Sequence, residues 1–287
     1  MDSVALVKYE GNIRETLMKG LSLIGGFGTL RSPILIKPNI CTQSDNTGFS
    51  VTDVNIVATL IDILLETDQG LSIHGVESDS ESKWAEKAYE KFGYTQLAKN
   101  LQKAGYNVSI VNLSKSSKIS VPFKGKYFQN PELPEELVQA GYVISVAVAK
   151  THYLTFITGV LKNLFGLLPR KDQSYYHSQI ASVIVDLNRL VSPNLCVIDA
   201  RMGIEGWNGP KKRPLNTFIV GQKPVSVDAT MCRLMGFEPE RIRHIIEAST
   251  HDLGVLNPTL RGQSIDSLIV QFNRPIINPS ALIDTET

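Results

Sequence analysis

Tyr142-Val143-Ile144-Ser145-Val146-Ala147-Val148-Ala149-Lys150-Thr151-His152 is a nearly continuous apolar run that ends in three polar residues. A strand with one wet face alternates apolar and polar positions. This run is apolar at both parities, the pattern of a strand covered on both faces in a parallel sheet. The strand is predicted over Tyr142 to Val148, so its carboxyl end delivers Lys150, Thr151 and His152. In open α/β sheets that is the end where ligands bind.

Outward from this run, short β-branched or apolar segments alternate with longer segments of helical period. Further strands are predicted at Val4 to Val7, Pro33 to Ile36, Leu71 to His74, Val108 to Asn112, Leu195 to Ile198 and Thr217 to Val220. Helices are predicted between them, among them Val54 to Leu65, Ser178 to Leu190 and Val225 to Met235. The alternation predicts an α/β protein, two-lobed, with largely parallel sheets flanked by helices and a cleft between the lobes. The stretch from Leu113 to Pro134, rich in Ser, Lys, Pro and Gly, reads as a hairpin or surface insertion. The expected organisation is an N-terminal lobe over 4–113, an insertion over 114–134, a C-terminal lobe over 135–255 and an extension over 256–287. Beyond Asn273 a loosely held tail is expected.

Leu35-Ile36-Lys37-Pro38-Asn39 ends a second strand at a lysine, a proline that cannot continue the ladder, and an asparagine that both donates and accepts. Downstream of His152, a helix over Thr155 to Leu164 would bring Thr155, Thr158 and Lys162 near one face. Gly159 inside such a helix costs about 1 kcal/mol relative to alanine and points to a close backbone approach. A lysine on that face is either a surface residue or a cation facing an anion. His177, in Tyr175-Tyr176-His177-Ser178, suits an acid/base or a single metal ligand. Glu77 and Asp199 follow strands, Glu205 lies in a glycine-rich loop, and Asp228 is either a further acidic site candidate or a carboxylate that offsets the positive end of the helix that begins near Pro224. The candidate catalytic residues are His152, Lys162 and His177. Candidate substrate contacts are Lys37, Asn39, Glu77, Lys150, Thr151, Asn163, Lys171, Asp199 and Glu205.

Of 287 residues, 43% are hydrophobic and 20% charged, which fits a folded globular chain and neither a disordered nor a fibrous one. Lys and Arg number 29 against 28 Asp and Glu, a formal charge of +1. That leaves no global field for a polyanion, so nucleic-acid and membrane-surface binding are disfavoured and any anion site must be local. The longest strongly apolar run, Val143 to Ala149, is far short of the roughly 18 to 20 residues that span a bilayer. The first residues lack a basic leader pattern, so a cytoplasmic location is expected. Cys41, Cys196 and Cys232 are scattered and expected as buried small hydrophobes, with no disulfide, zinc or iron–sulfur framework.

Several of these segments are recognisable together. Lys37-Pro38-Asn39, the Val143-to-His152 strand, Gly159-x-x-Lys162-Asn163-x-Phe165-Gly166, Tyr176-His177 and Asp186-Leu187-Asn188 are the first of them. With Asp199, Gly203-x-Glu205-Gly206 and Asp228 before Arg233-Leu234-Met235-Gly236, they resemble the domain-of-unknown-function family 362 from about residue 4 to 255. Many members of that family carry a cysteine-rich ferredoxin segment. This chain has no such segment, so no intrinsic iron–sulfur cluster is expected. His152, Gly159, Lys162 and His177 also resemble, more distantly, the signature of nickel-pincer lactate racemases. That resemblance implies an acid/base role for His152, covalent attachment of a pincer cofactor to Lys162 and nickel ligation by His177. Val160-Leu161 stands where that family has a double glycine, and Glu77 falls in the region of its second acid/base histidine.

The expected function is an enzyme that binds a small carboxylate or phosphate through clustered lysines and moves protons with His and Lys, in the manner of a racemase or isomerase. The alternative is a non-catalytic or redox-accessory binding protein that works with a separate iron–sulfur partner chain. The cofactor is open, with nickel or another metal as the candidate. Among partners a small anionic molecule is expected and nucleic acid and membrane are not; a redox partner or a homo-oligomer is left open.

Overall fold

The computed structural model describes residues 2–45, 47–276 and 279–283. The chain enters on β1 (Ser3–Lys8) and α1 (Ile13–Leu23), then runs through β2 (Ile34–Pro38), α2 (Val54–Thr67) and β3 (Ile73–Glu77). Helices α3 (Ala85–Lys91) and α4 (Tyr94–Lys103) lead to β4 (Val108–Asn112). A separate antiparallel hairpin, β5 (Lys118–Ser120) with β6 (Glu132–Pro134), precedes α5 (Glu135–Gln139). The long strand β7 (Tyr142–His152) is followed by β8 (Phe156–Ile157), α6 (Val160–Asn163) and α7 (Ile180–Leu190). Strands β9 (Leu195–Glu205) and β10 (Lys211–Gly221), helices α8 (Pro224–Leu234) and α9 (Arg243–Ser249), and β11 (Thr259–Gly262) follow.

One mixed sheet of nine strands organises the molecule, in the order β11-β1-β10-β9-β7-β2-β3-β4, with β8 paired to β7. From β9 to β4 every neighbouring pair is parallel. This is the α/β class with a largely parallel, helix-flanked sheet that the alternation predicts. The two halves of the chain share it. β7 inserts between β2 and β9, so a single sheet stands in place of two lobes divided by a cleft. The parity of β7 explains why it is central. Val143, Ala147 and Ala149 join the core under α6 to α9, whereas Tyr142, Ile144 and Val146 join the core under α1 to α4. Asp53 caps α2 by accepting the Asn55 N–H at 2.9 Å. Thr52 instead ties the preceding loop to β7, its hydroxyl donating to the Val146 carbonyl at 2.8 Å.

The order of the strands positions the site. From β2 the chain steps one way to β3 and β4, then returns to the other side of β2 as β7 and continues to β9. Such a reversal leaves a crevice outside the carboxyl ends of the two strands where it occurs.

The expected helix over Thr155 to Leu164 does not form. Phe156 takes a φ of +69°, β8 folds back on the end of β7, and only α6 is α-helical, running into a 3-10 turn at Leu164–Leu167. Gly159 stands at the N-terminus of α6, not inside a helix, at φ +71° and ψ −167°. A Cβ there would lie 2.4 Å from Asp228 Oδ1. Asp228 accepts the N–H groups of Val160 and Leu161 at 2.6 and 2.9 Å. It therefore caps α6 across the packing interface and does not offset the positive end of its own α8. Burial pushes its carboxyl up to about 7, against the pull of those two N–H bonds.

The C-terminal extension is integrated into the fold. β11 adds in parallel to β1, and the N–H groups of Val270 and Phe272 donate to the carbonyls of Leu234 and Met235 at 2.9 and 3.1 Å. The expected loose tail is pinned at 279–283, where the Ile283 N–H donates to the Arg241 carbonyl at 3.0 Å. The rest of that expectation, at 277–278 and 284–287, lies outside the described residues. Among the described residues no helix is long and apolar enough to cross a membrane.

Candidate functional site

A cavity of about 190 Å³ opens at the carboxyl ends of β2, β3 and β7. The strands deliver Lys37 and Asn39, Glu77, and Lys150 with His152 to its wall. α6 adds Lys162 and Asn163, and the 3-10 turn Gln173–Gln179 adds His177. Four lysines line this space against two carboxylates, Glu77 and the exposed Glu81.

Most of the buried charge is satisfied within the protein. Lys37 and Glu77, each 1% exposed, meet at 2.7 Å, and Lys83 approaches the other Glu77 oxygen at 3.4 Å. Lys37 also donates to the Pro38 carbonyl at 2.5 Å, and Lys83 to the Ser78 carbonyl at 2.8 Å. Burial, reinforced by Lys83 and opposed by Glu77, holds the Lys37 ammonium below its ordinary range. Gly166 makes room for the pair, since a Cβ there would lie 2.8 Å from Glu77 Oε1.

Lys150 has all three donors engaged, to Asn39 Oδ1 at 2.7 Å, the Ser50 carbonyl at 2.9 Å and Cys41 Sγ at 3.3 Å. Asn39 passes the network on through its amide to Asn163 Oδ1 at 3.1 Å. Asn163 in turn donates to the Lys37 carbonyl and to Ser145 Oγ, both at 3.0 Å. The side chains of Lys150, Asn39 and Asn163 thus clamp the ends of β2 and β7 to α6.

A second set of groups has no such partners. Lys162 Nζ makes no hydrogen bond or ion pair among the described residues and rests 5.4 Å from the centroid of the Phe165 ring. Burial, then the neighbouring Lys150 ammonium, lowers its pKa to about 8. The His177 imidazole is half-buried and unbonded among the described residues, its pKa lowered by burial and by Lys162. Thr158 Oγ1 and Gln173 Nε2, on the same wall, are buried without a hydrogen-bond partner.

His152 differs from both sets. Burial, then Lys162 and Lys150, drives its pKa well below the ordinary value. The ring is therefore neutral at pH 7. Its Nδ1 accepts the Leu154 N–H at 3.0 Å, which leaves the proton on Nε2. The imidazole is set up as a neutral N–H donor.

Four expected contacts fall outside the cavity lining. Thr151 Oγ1 accepts the Gly206 N–H at 2.7 Å and supports the β9–β10 hairpin. Lys171 is exposed, its ammonium on the Ser80 carbonyl at 2.9 Å and 3.5 Å from the Trp84 ring centroid. Asp199 is held by Arg201 at 2.9 Å, together with Asp53. Glu205 pairs with Arg213 and accepts the Asn273 N–H at 3.0 Å. Their side chains are engaged in local ion pairs, hairpin support or surface contacts.

Several lining residues were not anticipated, among them Lys83, Cys41, Glu81 and Gln173. Lys83 lies on a turn with no strand-end signal. Cys41, expected as a buried hydrophobe, is half-buried on the cavity wall against Lys150, while Cys196 and Cys232 are fully buried as expected. Cys41 lies two residues beyond Asn39, and that spacing past a strand end is the signal that could have found it.

A metal finds no protein-built centre here. Among the described residues no group of three or more His, Cys, Asp or Glu side chains is arranged to hold an ion. In the cavity His152 already has Nδ1 occupied, which leaves His177 as a single free imidazole. The donor set does not fit a metal held by the chain itself.

The fold and the cavity together define an α/β protein with a lysine-lined pocket at the reversal point of its sheet. Residues 34–233 match the family described as domain of unknown function (DUF362), and the chain belongs to that family. The matched segment runs from the start of β2 nearly to the end of α8 and contains the cavity. The chain is also 26% identical over 280 residues to the thylakoid-associated protein sll1697 of Synechocystis sp. (strain ATCC 27184 / PCC 6803 / Kazusa), covering 90% of this chain and 81% of that protein.

Proposed function

We propose that the strand-end cavity binds a small anion, a carboxylate or phosphate, and transfers protons to or from it. The observation that carries this reading is the set of donors without internal partners around one small space: Lys162 Nζ, His177, Thr158 Oγ1 and Gln173 Nε2. A buried polar group left unpaired costs about 1–3 kcal/mol, and an anion would satisfy several at once. The already engaged Lys37, Lys83 and Lys150 add positive potential behind these donors.

The roles follow from the protonation states. Lys162 as an ammonium binds the anion. Neutral His152 donates through Nε2–H and polarises a carbonyl or carboxylate oxygen. His177, unbonded and with a lowered pKa, is free to act as the acid/base. The reaction class is proton transfer at a carbon beside a carboxylate, as in racemases and isomerases. Thermal shifts across a panel of carboxylates and phosphates test the binding step. The wild type should be stabilised by a subset that leaves Lys162→Ala unmoved, and identical panels for the two proteins would overturn the reading.

We place the protein in the cytoplasm. The thylakoid association in the relative's name supports a second location, at a membrane face without a spanning helix. Cell fractionation with a high-salt wash distinguishes them.

A further inference from the structure

We propose that Lys162 is a Schiff-base lysine that condenses with a small 2-oxo carboxylate. The proposal rests on the cavity's being an anion site, and it names the substrate class. An amine is a nucleophile only when neutral, and desolvation beside another cation is the established way to make a lysine so. Lys162 has both conditions: a half-buried position without an acid partner, and Lys150 as its cationic neighbour. The other lysines of the wall are disqualified by their bonds. Lys37 and Lys83 share Glu77, and Lys150 has no free donor.

Thr158 and Gln173 line the same small cavity as Lys162 and offer unpartnered donors to a carboxylate while Nζ faces a carbonyl. A 2-oxo carboxylate, with the two groups on adjacent carbons, is the smallest molecule that presents both.

The chemistry balances without an oxidant or reductant. Neutral Nζ attacks the carbonyl carbon, and one proton of the resulting ammonium passes to the oxygen, which His152 Nε2–H holds by a hydrogen bond, to give a neutral carbinolamine. A second proton, delivered through His177, lets that oxygen leave as water, and the nitrogen lone pair completes the C=N bond. One amine, one carbonyl compound and one proton become one iminium and one water. The iminium withdraws electrons from C3, on the side of the carbonyl away from the carboxylate, and makes a proton there easier to remove.

Reductive trapping tests this on the full chain. Pyruvate is added with sodium cyanoborohydride, and the reduced adduct is mapped by proteolysis and mass spectrometry. The expected result is an adduct on Lys162 at about tenfold or more the occupancy of the exposed Lys171, as a desolvated amine requires. Occupancy should rise with pH towards 8, where Lys162 loses its proton. Lys162→Arg should keep a thermal shift with acetate and lose the adduct. No adduct, or one spread evenly over surface lysines, overturns the proposal, and the wild-type map decides this even if the variant does not fold. Trapping with dihydroxyacetone phosphate but not pyruvate overturns the 2-oxo carboxylate. A pyruvate-induced thermal shift without an adduct overturns the Schiff base and leaves the anion site standing; no shift with any anion overturns the site itself.

Discussion

Glu77 Oε2 sits 2.7 Å from Lys37 Nζ, with both side chains 1% exposed, and the same carboxylate is 3.4 Å from Lys83. One anion therefore holds two buried cations at the base of the cavity. Glu77→Gln keeps the shape and removes the charge, leaving two ammonium groups without a counterion. Breaking a buried pair in this way costs about 3–5 kcal/mol. Urea denaturation should show a loss of that order, and a change under about 1 kcal/mol would mean that water reaches these lysines.

Gly159 and Asp228 form a second dependency. At φ +71° and ψ −167° the backbone occupies a region open essentially to glycine, and an added Cβ would strike the carboxylate that caps α6. Gly159→Ala should cost about 3 kcal/mol or more. Gly11→Ala is the control, because Gly11 has φ +98° with nothing within 4 Å of an added Cβ. It should cost only about 1–2 kcal/mol, the backbone share alone. Equal losses at the two sites would remove the steric argument.

His244, buried with its Nε2 unpartnered, has its pKa lowered by burial and then by Lys162 to about 3. Between pH 6.5 and about 3 the unfolded chain binds a proton that the folded chain refuses, so stability falls as pH falls. The slope is about 1.4 kcal/mol per pH unit, and it is absent above 6.5. His152 acts in the same direction. His244→Leu should flatten the stability profile between pH 4 and 6 relative to wild type, and parallel profiles would contradict this.

Lys162 is a cost to the empty fold. Its ammonium, lowered to about 8, is disfavoured in the folded state, and the penalty is full below pH 8 and relieved as pH rises towards 10.5. Lys162→Met should therefore stabilise the protein at pH 7 by about 1–3 kcal/mol, a gain that fades above pH 8. The same variant should lose its thermal response to carboxylates. A destabilised variant at pH 7 would show that Lys162 has a structural partner.

Much of this architecture is legible in the sequence because it depends on local pattern. The two parities of β7 and the apolar spacing of α2 are both set by nearby residues. Strand ends can be read from Lys37-Pro38-Asn39 and from Lys150-Thr151-His152, so the wall of the cavity is foreshadowed. The order of the strands depends on long-range pairing, and nothing local shows that β7 slots between β2 and β9 to make one sheet. The segment from Thr155 to Leu164 misleads for a related reason. Its helical spacing is real, but the capping carboxylate comes from Asp228, far along the chain, and it starts the helix only at Val160. Lys83 is invisible in sequence because its meaning comes from Glu77, which already has Lys37 as a partner.

The position of β7 also bears on how the protein acquires its site. Ile34 pairs with Tyr142, and Ile144 pairs with Leu195, so the central strand is flanked by partners distant in sequence on both sides. Such closures come late and slowly, because chain entropy must be given up before the contacts form. β2, β3 and β4 pair with one another without β7 between them, but these three strands carry none of Lys150, His152 and Lys162. A ligand of the cavity has nothing to hold until the last strand is in place. It should slow unfolding, measured by stopped-flow dilution into urea, and leave the refolding rate unchanged.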